Sequence, residues 1–564
     1  MEALDWLVIG VFFLALIGII VWVVRQKQND SADYFLGGRD ATWLAIGASI
    51  FASNIGSEHL IGLAGAGASS GMAMAHWEIQ GWMILILGWV FVPFYSRSMV
   101  YTMPEFLEHR YNPQSRTILS VISLVSYVLT KVAVTVYAGG LVFQQVFGIK
   151  ELWGIDFFWI AAIGLVVLTA LYTIFGGMKS VLYTSVLQTP ILLLGSLIIL
   201  VLGFKELGGW DEMMRVCGAV TVNDYGDTMT NLIRSNDDAN FPWLGALIGS
   251  AIIGFWYWCT DQFIVQRVLS GKNEKEARRG TIFGAYLKLL PVFLFLIPGM
   301  IAFALHQKYI GAGGEGFLPM LANGTANADA AFPTLVAKLL PAGVKGLVVC
   351  GILAALMSSL ASLFNSSAML FTIDFYKRFR PETPEKKLVG IGQIATVVIV
   401  ILGILWIPIM RSVGDVLYTY LQDVQSVLAP GIAAAFLLGI CWKRTSAQGG
   451  MWGLIAGMII GLTRLGAKVY YSNAGEVADS TFKYLFYDMN WLFFCGWMFL
   501  FCIIVVIVVS LATEAPTAEK IQGLVFGTAT KEQKAATRAS WDHWDIIHTV
   551  IILAITGAFY WYFW

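Results

Sequence analysis

The sequence predicts an all-α polytopic membrane protein with fourteen transmembrane helices. Three observations predict it. Of 564 residues, 58% are hydrophobic and only 13% charged, whereas soluble domains carry roughly 25% charge. Apolar runs recur along the whole chain at about 20 residues, the length that crosses a ~30 Å hydrocarbon core. The basic residues are also distributed asymmetrically. With the N-terminus outside, the seven cytoplasmic connections hold 23 of the 36 lysines and arginines, as the positive-inside rule requires.

The first span, 5–25, follows Glu2 and Asp5 rather than a basic stretch, and no small-residue cleavage pattern comes after it. It therefore reads as a retained helix, trailed inside by Arg25 and Lys27, and not as a signal peptide. The others are 42–66, 76–97, 117–146, 153–175, 180–203, 242–265, 280–305, 342–372, 388–408, 414–440, 448–469, 490–511 and 545–563. An even count returns the C-terminus to the outside. The chain divides into a first helix and linker (1–41), five helices (42–203), an outside loop (204–241), five more helices (242–440), two further helices (441–511), a cytoplasmic loop (512–544) and a last helix (545–564). The acidic loop 204–241 reads as a solvated cap or as a cation-attracting vestibule. Zero net charge gives no basic patch for nucleic acid. The 57 glycines suit close helix packing in lipid. Only Cys217 of the six cysteines falls in a hydrophilic loop, so no disulfide framework is expected.

Several polar residues interrupt these spans. "FASNIGSEHLIGLAGAGASSG" (51–71) carries Asn54, Ser57, Glu58 and His59 among aliphatic and small residues. Gly56 and Ser57 weaken the helix there, and non-helical backbone at membrane depth is tolerated only in a cavity or against protein. "GFWYWCTDQ" (254–262) is the second unusual segment. Interrupted segments opening each of two halves, spans 2–6 and 7–11, point to a transporter's substrate site. Glu78 in "AHWEIQGW" and Lys288 in "GAYLKLLPVF" are ionisable at a depth that costs about 2.5–3.5 kcal/mol on insertion scales. Each marks either a functional site or an interfacial side chain. Lys131 in "VLTKVAV" suits structural pairing, and Gln422, ahead of Pro430, suits either a site or an interhelical hydrogen bond. "AALMSSLASLFNSS" (354–367) reads as a small-residue packing face or as hydroxyls for a hard cation, facing the break at 52–55.

The stretches "DYFLGGRDATWLAIGASIFASNIGSEHLIGLAG", "TMPEFL", "LYTIFGGMKSVLYT", "WYWCTDQFIVQRVL", "YLKLLP", "SSLASLFNSSAMLFTIDFY" and "IAAAFLLGICWKR" run from about residue 33 to 445. Through them the chain resembles the sodium/solute symporters of the sodium–glucose cotransporter branch. The resemblance implies a LeuT-type inverted repeat (5+5), with one helix before and three after, working by alternating access. It implies sugar contacts at Asn54, His59 and Glu78 from the first half, and at Tyr257, Trp258, Lys288 and Gln422 from the second, with Tyr257 doubling as an inner gate. It implies a sodium site on backbone oxygens of Ala52, Ile55 and Ala355 and on the hydroxyls of Ser358 and Ser359. The residue types agree, because a sugar takes acceptors, donors and two-way amides around its hydroxyls.

This chain departs from the family pattern in three places. Glu78-Ile79-Gln80 stands where the glucose carriers read Glu-Trp-Asn, and Gly254 replaces a polar residue three before Tyr257. Both bear on which sugar is carried. Ser185 and Ala361 stand where a second sodium site has an Asp and a hydroxyl. The expected function is sodium-driven import of a neutral glucose- or galactose-like hexose, with one Na⁺ per cycle, across a plasma membrane of bacterial type. The alternatives are symport of another small solute (myo-inositol, an amino sugar, a carboxylate) or sugar sensing on the same fold. No catalytic His/Ser/Asp constellation or phosphate loop appears, so an enzyme is not expected.

Overall fold

The computed structural model describes the chain except residues 27–29, 57, 322–323, 412–416 and 474–477, and the side chains of 129–130, 145, 409–411, 417–423 and 473. Among the described residues eleven helices are long and apolar enough to cross a membrane, against the fourteen expected. The difference arises where spans are fused or broken. Phe157–Leu207 holds 51 residues in two helices joined at a kink, enough at 1.5 Å per residue to cross a ~30 Å core twice. Gly177 turns the chain inside it, with φ 52° and ψ −148°. A Cβ there would lie 2.4 Å from the Tyr34 carbonyl oxygen, so only glycine makes this turn without displacing backbone. Trp43–Asn54 and Ala133–Gln144 are apolar but too short to count by length.

The first helix, Ala3–Val24, packs on Phe157–Leu207 and Val344–Met369. Asp5 fixes it there by accepting hydrogen bonds from the Gly343 and Gly346 N–H groups at 2.7 and 2.8 Å. A carboxylate at that helix N-terminus satisfies orphan donors and complements the helix dipole.

Both expected interruptions are present. Trp43–Asn54 ends at Ile55, whose ψ of 108° is extended. The chain resumes as π-helical Glu58–Leu63 and then as the helix Ala64–Ser70. In the second half Trp243–Gly254 passes into π-helical Phe255–Thr260 and breaks at extended Asp261, which caps Gln262–Leu269. Glu274–Lys288 lies against Trp43–Asn54 at glycine distance. A Cβ on Gly47 would come within 2.8 Å of the Gly280 carbonyl oxygen, the close approach that small residues permit in membranes. Of the loops, 204–241 holds the helix Trp210–Gly218, 306–341 holds Ala331–Leu339, and 512–544 holds Lys531–Ala539.

Candidate substrate and sodium sites

The polar residues of the spans sit where helices stop. Asn54 ends its helix, Glu78 ends the short piece Ala75–Glu78, and Lys288 ends Glu274–Lys288. Asn54, His59, Glu78, Tyr257, Trp258 and Lys288 all line one cavity of about 50 Å³. One water occupies roughly 30 Å³ of liquid, so these walls must part to admit any guest much larger than a water molecule.

Glu78 and Lys288 are almost fully buried, and the Lys288 ammonium donates to the Glu78 carboxylate at 2.5 Å. His59 Nε2 lies 3.3 Å from the same carboxylate oxygen and 3.3 Å from Asn54 Nδ2. Their burial sets aside the reading of Glu78 and Lys288 as interfacial side chains. Two buried nitrogens on this wall, His59 Nδ1 and Trp77 Nε1, have no hydrogen-bond partner among the described residues. Buried polar atoms are normally satisfied, so these are positions where a hydroxylated guest gains most. Lys288 Nζ also lies 5.3 Å above the Trp258 ring, and the Tyr257 and Trp258 rings meet edge to face at 4.9 Å. Aromatic faces of this kind cover apolar C–H surface.

Lys131 does not line this cavity. Its ammonium donates to Asp261 at 2.6 Å and lies within 5.4 Å of four ring centres, those of Tyr127, Trp256, Tyr257 and Phe263. Tyr127 also donates to Asp261. Structural pairing accounts for it. Ser57 and the Gln422 side chain lie outside the described residues. Gln425, one turn beyond Gln422, lines the cavity, as do Glu58, Trp77 and Gln80. The sequence reading assigned none of these four a contact. Glu58 stood out as a polar interruption and Gln80 as a departure from the family pattern, and Gln425 carried the signal of its three-residue spacing from Gln422.

A second cavity of about 20 Å³ adjoins Ser359 and Lys131 and shares Glu58, Tyr257 and Gln425 with the first. Beyond it the serine face of Val344–Met369 meets the end of Trp43–Asn54. Ser53 and Ser362 hydroxyls pair at 2.6 Å and Ser185 and Ser358 at 3.2 Å. Ser185 donates to the Val181 carbonyl at 2.6 Å, so toward Ser358 it acts as acceptor. The lone pairs of Ser358 Oγ then stay available. Ala52 and Ile55 lie at the end of a helix, where carbonyls lack intrahelical donors. Ala355 is buried on Val344–Met369, a helix that packs against Trp43–Asn54. Among the described residues no group of three His, Cys, Asp or Glu could hold a metal ion. A cation here would meet neutral oxygens, a donor set that suits a hard monovalent ion.

Residues 34–457 match the sodium:solute symporter family model. The chain belongs to that family. This symporter is 37% identical over 542 residues to the sodium/myo-inositol cotransporter 2 of Mus musculus, covering 94% of this chain and 80% of that one. It is 35% identical over 560 residues to the sodium/glucose cotransporter 4 of Danio rerio, covering 96% and 84%. Among solved structures it resembles a substrate-bound, outward-open Na⁺-coupled sialic acid symporter, with TM-score 0.72 at 22% identity over 92% of this chain and 99% of that one. The fold is therefore that of the LeuT-type Na⁺ symporters. The protein is a sodium-coupled, multi-pass solute symporter and not an enzyme.

Proposed function

We propose that this symporter imports a neutral hexose of glucose or galactose type, one Na⁺ per sugar, by alternating access. The observation that carries this reading is the Glu78–Lys288 pair. Its charges cancel inside the cavity, leaving acceptors, donors and aromatic faces for a polyhydroxylated ring, and no surplus cation to hold a carboxylate. Asn54, His59, Glu78, Tyr257, Trp258, Lys288 and Gln422 serve the sugar. Ala52, Ile55, Ala355, Ser358 and Ser359 serve sodium, and both termini face outside a bacterial-type plasma membrane.

A cyclic polyol is the second reading. It is favoured by the 37% identity to a sodium/myo-inositol cotransporter and by Gln80 and Gly254 standing in the cavity wall. The chemistry is the same, since ring hydroxyls exchange their water for the amides, carboxylate and ammonium of a dry site. Purified protein in liposomes tests the proposal. Labelled glucose, galactose and myo-inositol are offered with and without an inward sodium gradient, alongside a carboxylated sugar. Accumulation of a neutral ring that collapses without sodium is expected. Preferential uptake of the acid sugar, or uptake indifferent to sodium, would overturn it.

A further inference from the structure

Gln80 and Gly254 occupy one space. A Cβ built on Gly254 would lie 2.5 Å from Gln80 Oε1, 2.8 Å from Cδ and 3.0 Å from Nε2, so the Gln80 carboxamide lies flat on the bare glycine. It is also tied on both sides of that glycine. Nε2 donates to the Ser250 carbonyl at 2.8 Å, and Oε1 accepts from the Trp258 indole N–H at 3.2 Å. Residues 250, 254 and 258 follow one another at four-residue spacing, so they form one face of the helical segment that opens the second half. Gln80 thus clips that face and fixes the plane of Trp258, the ring over which Lys288 sits.

A carboxamide carries two N–H groups and two lone pairs. One of each is used here, which leaves one donor and one acceptor on the cavity wall. We propose that Gln80, seated on Gly254, is a specificity-determining residue of the substrate cavity. It acts by its free N–H and lone pair and by positioning Trp258. The inference rests on the neutral-ring reading above and, within it, favours the second reading, the cyclic polyol, over the hexose. A ring hydroxyl donates and accepts, so it answers both remaining valences. The ring oxygen of a pyranose only accepts and answers one. The Gln80 wall therefore favours a ring hydroxylated at every carbon over a hexopyranose. The two departures from the family pattern then compensate each other, the longer amide at 80 filling the space that a side chain at 254 would otherwise occupy.

The test measures kcat/KM for sodium-driven uptake of myo-inositol and of glucose in proteoliposomes, for wild type, Gln80→Ala, Gly254→Ser and the double variant. Gln80→Ala is expected to lower the inositol-to-glucose ratio at least tenfold. Gly254→Ser, whose hydroxymethyl evicts the carboxamide, should do the same. The double variant should recover to within about threefold of wild type, because the serine hydroxyl fills the vacated space and accepts from Trp258. A purely structural role would depress both substrates alike and the two losses would add, which overturns the proposal. Gln80→Asn supplies the same comparison if Gln80→Ala is not recovered from the membrane, and an unchanged ratio in it also overturns the proposal. A wild type that accumulates neither ring would instead overturn the functional reading, and the specificity inference with it. Wild-type uptake with a constant ratio across the variants overturns the specificity inference alone.

Discussion

Lys288 and Glu78, 210 positions apart in the chain, share a 2.5 Å hydrogen bond across the wall of the substrate cavity. Each is the last residue of its helix, and each comes from a different half of the fold. Their pairing joins the halves at the point where a guest must enter. In the proposed site such a contact would be both a lock and a receptor, because a hydroxyl inserted between them would accept from the ammonium and donate to the carboxylate.

The first prediction follows from that pair. Removing one partner leaves a buried charge alone, at a cost of about 3–5 kcal/mol. Glu78→Gln and Lys288→Met should each abolish accumulative uptake and lower thermal stability in detergent. The double variant should regain most of the stability and none of the transport. A double variant no more stable than either single one would contradict the pairing, and wild-type uptake in Glu78→Gln would remove that residue from the site.

His59 and Tyr257 should behave differently from each other. His59 has an unsatisfied Nδ1 beside the cavity, a directional group whose loss changes which hydroxyl geometry fits best. His59→Ala should therefore reorder the preference among hexose epimers, measured as competition against one labelled sugar. Tyr257 contributes ring area, so Tyr257→Phe should preserve that order and Tyr257→Ala should weaken every sugar, by roughly tenfold for a lost aromatic contact of about 1.5 kcal/mol. An unchanged order in His59→Ala would argue against direct contact.

The helix breaks and their polar residues were legible in the sequence because they violate an otherwise apolar pattern. Asn54, His59, Glu78 and Lys288 stand out because each is costly in lipid unless it is paired inside the protein or lines a cavity, and all four line one. Gln80 was visible only as a departure from a pattern. That it lies on Gly254 depends on a contact across 174 positions, which no local periodicity encodes. Trp77 reads as one more membrane aromatic until its N–H is found buried and unsatisfied. The boundary between spans 153–175 and 180–203 was legible in the sequence, and the non-helical turn at Gly177 falls between them.

A third prediction concerns pH. Asp329, in the loop 306–341 outside the spans, packs against Gly65, where a Cβ would come within 2.5 Å of Asp329 Oδ1. Burial lifts its carboxyl from 3.8 to about 6. Between those values the folded protein holds a proton that the unfolded chain has released. Stability contributed by the neutral carboxyl is therefore full below pH 4, is lost as pH rises through 6, and stays flat above. Thermal unfolding in detergent should follow that slope. Asp329→Asn should flatten it and raise stability at neutral pH, whereas the same slope in the variant would assign the titration to another group.

The last prediction concerns how many sodium ions drive each turnover. One sodium entering down 100 mV releases about 2.3 kcal/mol, and a tenfold gradient adds roughly 1.4 kcal/mol. Together, about 3.7 kcal/mol supports roughly 500-fold accumulation, whereas two ions would support on the order of 10⁵-fold. The region around the proposed site argues for one. Ser185 donates to the Val181 carbonyl and pairs with Ser358, so the position where a carboxylate would anchor a second cation is a hydroxyl already engaged within the protein. Ala361, buried on the same helix, adds no oxygen. Sodium activation should therefore fit a Hill coefficient near one. Ser359→Ala should raise the sodium requirement at least tenfold, since a site of about five neutral oxygens loses one of its two hydroxyls. Ser185→Ala should leave the stoichiometry unchanged. Reversal-potential measurements in proteoliposomes check this directly. A slope corresponding to two sodium ions per sugar would mean that hydroxyls and carbonyls alone sustain a second site.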